Sequence, residues 1–131
     1  MAKQRDITAV ANMLQTALFL AYGSNAKKTT GKTDRGNRHT TWFFPLTEGG
    51  LTVAVEHEPG SDCLTIGAFL QADGDASDIA ESFNRFSEFR CCIDNTYGAE
   101  SPVGTIARAT ESIGKMLQRL GQCGIWIKGT R

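Results

Sequence analysis

The stretch HTTWFFPLTEGGLTVAVEHEPGSDCLTIGAFLQ, residues 39–71, decides the fold. It divides into three runs, His39–Leu46, Leu51–Glu58 and Cys63–Gln71, joined by TEGG (47–50) and PGSD (59–62). The runs are rich in β-branched and aromatic residues and the connections in Gly, Pro and Asp, a pattern that predicts antiparallel strands joined by tight turns. Successive strand side chains point to opposite faces, so the pairing can be tested on the residues themselves. With Leu46 opposite Leu51 and Glu58 opposite Cys63, one face collects Trp42, Phe44, Leu46, Leu51, Val53, Val55, Leu64, Ile66, Ala68 and Leu70. Only Thr40 and His57, at one end, interrupt it, and a histidine at a core margin calls for a hydrogen-bond partner. A one-residue slip would scatter the apolar set, so the choice of core face is strongly specified.

Outward from this sheet, Ile7, Ala11, Leu14, Leu18 and Ala21 recur at helical spacing, with Asp6 as a cap and Gly23–Ser24 as a stop, which predicts a helix over 6–22. Residues 24–38 (SNAKKTTGKTDRGNR) have no apolar period and read as a long, mobile basic loop. Beyond the sheet, Asp75 or Ser77 caps a second helix with Ile79, Phe83 and Phe86 on one stripe. Residues 89–93 fit a helix end or a short strand, and 95–103 read as a loop. Ile106, Ala109, Ile113, Met116, Leu117 and Leu120 mark a third helix over 104–120 that Gly121 ends, and GIWIKG (124–129) alternates as a final strand. The expected fold is α+β: a single domain over 1–131, in the order α-β-β-β-α-α-β. Its antiparallel sheet has three to four strands, with helices packed on one face.

The chain's 131 residues suit one domain able to bury its own core. Fourteen Lys+Arg balance fourteen Asp+Glu, which argues against a general nucleic-acid coat or a membrane-surface binder. The longest strongly apolar run, Ala17–Tyr22, is far too short to span a bilayer, and MAKQRDITAV lacks the apolar core of a signal peptide. The cysteines are Cys63, Cys91, Cys92 and Cys123; the adjacent pair suits a disulfide framework poorly, so four reduced thiols in a cytoplasmic protein are expected. No CxxC occurs, and no metal or cofactor is expected.

Motifs for enzyme chemistry fail on inspection. Gly31-Lys32-Thr33 ends like a phosphate-binding loop, but Ala26 stands where that loop needs its first glycine. The segment from Asp73 resembles a calcium loop, but its sixth and twelfth places hold Asp78 and Asn84 rather than Gly and Glu. Neither GxSxG nor GxGxxG is present. The registered sheet does set His39, Glu58 and Cys63 in one row of its outer face, a combination that would activate a thiol or hold a metal.

The charge is segregated along the chain. Lys27, Lys28, Lys32, Arg35 and Arg38 crowd one segment against a single acid, Asp34. From Phe43 to Glu81 there are eight acids, including Glu56, Glu58, Asp73, Asp75 and Asp78, and no Lys or Arg. A dipolar surface of this kind steers and orients a partner. Phe43 and Phe69 fall on the outer face of the sheet, where an aromatic pair marks an interface or a covered patch. The reading that follows is a non-enzymatic protein-binding module, such as an inhibitor or adaptor, working through Phe43, Phe69 and the acids against a basic partner or as a homodimer. Nucleic-acid binding through the five basic residues is the alternative, and the His39/Glu58/Cys63 thiol or metal site is a second one.

Overall fold

The computed structural model describes residues 4–93 and 101–129. Most of the expected loop at 95–103 lies outside that range. The elements run α1 (Gln4–Tyr22), β1 (Lys27–Lys32), β2 (Arg38–Pro45), β3 (Gly50–His57), β4 (Cys63–Gln71), a single 3-10 turn (Gly74–Ala76), α2 (Ser77–Arg85), β5 (Glu88–Cys92) and α3 (Pro102–Gln122). The class is α+β as expected, but the sheet has five antiparallel strands, in the order β1-β2-β3-β4-β5.

Two strands account for the difference. The basic segment is not a loop: Lys27–Lys32 pairs along its whole length with β2. The turn between them is closed by Thr33, whose N–H donates to Asn37 O (2.8 Å) and whose carbonyl accepts from Gly36 N–H (2.8 Å). Gly36 takes the left-handed conformation (φ 84°) that such a turn requires. Residues 88–92 form the other edge strand, with Phe89 and Cys91 turned to the core. The final segment is a correction in the opposite direction. GIWIKG makes only the bridge Leu46↔Ile127, between left-handed glycines Gly124 and Gly129, although Ile125 and Ile127 are buried.

All ten residues of the inferred apolar face are buried. The β3–β4 register is the expected one, with His57 opposite Leu64. The β2–β3 register is displaced by two residues, with Phe44 rather than Leu46 opposite Leu51. A displacement of two keeps every side chain on its own face, so the core set survives it. Gly50 causes the displacement by joining the strand rather than the turn. The Phe43 ring lies where a Cβ on Gly50 would stand, so only glycine lets that ring lie flat on the sheet.

The helices share one core with this face. α1 contributes Val10, Ala11, Leu14 and Leu18, and its Gln15 Oε1 accepts from Trp42 Nε1–H (3.1 Å), satisfying the one polar atom of a fully buried indole. Tyr22 meets Phe44 edge to face, and its hydroxyl donates to Thr110 O on α3. α3 packs on β4, β5 and α1, burying Ile106, Ala109, Ile113, Met116 and Leu120. Ser101 caps it by accepting from Gly104 N–H, with Pro102 in the first turn. α2 has no side-chain cap, contrary to the expected role of Asp75 or Ser77. Its Asn84 instead bonds both the N–H (2.8 Å) and the C=O (2.9 Å) of Leu70, finishing the β4 ladder beyond the end of β5.

The cysteines are also corrected. Cys63 and Cys92 are direct cross-strand partners and form a disulfide, while Cys91, buried, and Cys123, exposed, stay outside it as thiols. The expectation of a cytoplasmic protein loses the support of four reduced thiols. No described helix is long and apolar enough to cross a membrane.

Candidate functional site

With every described helix on one face, the opposite face of the sheet has no cover among the described residues. Between the Pro45–Gly50–Gln71 row at one end and the Cys63–Cys92 pair at the other, it carries three cross-strand rows. The first is Gly31–His39–Glu56–Thr65–Arg90, the second Thr29–Thr41–Ala54–Gly67–Glu88, and the third Lys27–Phe43–Thr52–Phe69. The middle row is small and flat. The third carries Phe43 (42% exposed) and Phe69 (57% exposed), two strand spacings apart, about 10 Å. The expected aromatic pair is therefore formed, with Thr52 between the rings, and no basic loop folds over it.

The acids separate into two groups. Glu56 and Glu58 lie at the end of the sheet where β3 turns into β4, and Asp73, Asp75 and Asp78 follow the far end of β4. The nine residues of β4 hold the groups roughly 30 Å apart. The aromatic row shares its end of the sheet with the second group, where Glu48, Asp73 and Asp75 line one hollow together with Cys123 and Ile125. Among the described residues no Lys or Arg lines that hollow, and the nearest cation on the aromatic row is Lys27, opposite Phe43 on the edge strand. Glu48 was not among the expected site residues. Its position in the 46–49 turn, beside the strand that carries Phe43, was the available signal.

The His39–Glu58–Cys63 row is not formed. The two-residue displacement puts His39 opposite Glu56 and leaves Glu58 in the turn, and Cys63 is spent in its disulfide. Glu56 Oε1 accepts from Asn37 Nδ2–H (2.9 Å), and His39 Nδ1 is shielded from solvent with no partner. Among the described residues no three His, Cys, Asp or Glu side chains gather where they could hold a metal. His57 behaves as expected: it is buried, and its Nε2–H donates to Ser61 O (2.6 Å), holding the β3–β4 turn.

The basic residues divide as well. Lys27 points to the uncovered face, Lys28, Lys32 and Arg38 to the helix-bearing face, and Arg35 sits in the exposed β1–β2 turn. The hairpin therefore presents no single track of five cations. No protein-family model, curated protein or solved structure matches this chain.

Proposed function

We propose that the chain is a non-enzymatic protein-binding module that receives a partner on its uncovered sheet face. The observation that carries this reading is the Phe43–Thr52–Phe69 row, two exposed aromatic rings on a flat strand surface beside the acidic end formed by Glu48, Asp73 and Asp75. Rigid aromatic side chains of this kind supply most of the energy of an interface, and the charge around them selects the partner. The occupant that fits is a protein segment bearing an apolar anchor next to Lys or Arg. An inhibitor of, or adaptor for, a basic nucleic-acid-binding or defence complex answers that description. Glu56, Glu58 and Asp78 lie outside this footprint and serve long-range steering.

The test places a photo-crosslinking amino acid at Phe69 and, as a control, at the exposed Gln118 on the helix side. The expected result is an adduct from position 69 alone, mapping to a Lys/Arg-containing segment of another protein. Capture should fall about a hundredfold in a Phe43→Ser/Phe69→Ser variant and further when Glu48 and Asp73 become Lys. Adducts between copies of this chain would replace the hetero-partner with a homodimer. Capture indifferent to both sets of substitutions overturns the reading.

A further inference from the structure

The structure assigns a second site, on the other side of the β1–β2 hairpin: an anion-binding cavity for a small phosphorylated molecule with two or more negative charges. It lies across the hairpin from the Phe43–Thr52–Phe69 row, and of the outer-face residues only Gly31 and His39, at the other end of the sheet, reach its rim.

β1 extends past the shelter of α1, so the inner-face positions of the hairpin overhang the side of that helix. The hollow so formed, open to solvent on one side, has a volume of about 410 Å³. Lys28, Lys32 and Arg38 line it, with Thr30, Thr40 and Asn12 as neutral donors and His39 at the rim, and among the described residues no carboxylate does. Ile7, Ala11 and Val55 form an apolar floor. Pockets of roughly 300–1,000 Å³ with an apolar base and a few convergent polar groups suit small-molecule ligands.

The pairing of the cations is the telling feature. Lys32 and Arg38 are direct cross-strand partners on one face. Like charges so placed destabilise a sheet. Neither makes an ion pair among the described residues, where the ion pairs are Arg85–Glu81 and Lys115–Glu111. Lysine on an exposed edge strand guards against unwanted pairing, which accounts for Lys28 or Lys32 singly. It does not account for Arg38, which belongs to β2 and adds its charge opposite Lys32. An anion between them converts the repulsion into charge-assisted hydrogen bonds, bidentate in the case of the guanidinium. A nucleic-acid strand fits less well than a small ligand. The three cations converge on one cavity rather than following a groove, and the exposed rings that could stack on bases lie on the opposite face.

Thermal melts and calorimetric titrations with pyrophosphate and with ADP test the assignment, using a fifteen-residue oligo-dT as the strand control. Pyrophosphate and ADP should both raise the melting temperature; the tighter of the two separates an inorganic source from a nucleotide whose base uses the apolar floor. Arg38→Gln and Lys28→Gln should each weaken binding by about tenfold or more, Arg38→Lys should weaken it less, and Lys115→Gln should leave it unchanged. Without ligand, Lys32→Gln and Arg38→Gln should melt no lower than the parent, because each removes a repulsion. No response to either anion, or a response that survives the cavity substitutions, overturns the assignment. Oligo-dT bound more tightly than ADP and weakened by Lys27→Gln replaces it with the nucleic-acid reading.

Discussion

Trp42 and Phe43 are neighbours in the chain and opposites in circumstance. The indole is sealed between the sheet and α1, with its nitrogen satisfied by Gln15, whereas the phenyl ring lies across Gly50 on a face that none of the described residues covers. The same alternation runs through β2, β3 and β4: Val53 against Thr52, Val55 against Ala54, Leu70 against Phe69. One face is specified by burial and must be apolar to fold. The other is released from that demand, so an aromatic residue there needs a reason other than the core.

The contrast can be broken at several points. Trp42→Ala empties a fully buried site and should cost about 3–5 kcal/mol in denaturant unfolding. Removing the Cys63–Cys92 bond, which spans 29 residues, should cost about 3 kcal/mol by loosening the unfolded chain's constraint. Alkylation of the unreduced, denatured protein should label Cys91 and Cys123 only. Tyr22 sharpens the comparison by pH. Burial pushes its phenol from 10.0 up to about 12. Between those values the unfolded chain ionises while the folded one keeps its proton. The stability is therefore intact below about pH 10 and declines as pH rises toward 12. Allowing for the ring's partial exposure, the loss should be about 1 kcal/mol, and Tyr22→Phe should flatten that part of the pH profile. Phe43→Ser and Phe69→Ser should change unfolding free energy by less than about 0.5 kcal/mol each, while abolishing capture at the sheet face. A large destabilisation by either would mean that the ring serves the fold.

The core face was legible because burial writes a period into the sequence, and that period tolerates the two-residue displacement of β2 against β3. β1 was not legible for the same reason. KKTTGK is exposed on both faces, so no apolar alternation marks it. Its only local signs were Thr29–Thr30, both β-branched, and a turn with Gly36. The disulfide was hidden because Cys92 becomes opposite to Cys63 only once β5 is known to be a strand. The candidate site was half legible. Face alternation brings Phe43 and Phe69 together, but their company depends on which turn lies at which end of the sheet. That arrangement puts Glu48, rather than Glu56 and Glu58, at the rings' end of the sheet. The opposition of Lys32 and Arg38 likewise needs a hairpin that a polar sequence does not announce.

Chain order and sheet order coincide in this molecule, which sets how it can assemble. Each strand finds its partner one turn away, with only α2 intervening before β5, so the pairing is dominated by short loops and is kinetically inexpensive. The helices obey a different schedule. α1 precedes the sheet in the chain, with Leu14 and Leu18 awaiting a surface, and α3 follows it. A nascent chain ending before Pro102 would hold a paired sheet whose β4–β5 half is bare on the side that α3 later occupies. The interval before α3 docks is therefore the one in which this sheet is most exposed to aggregation and to chaperones.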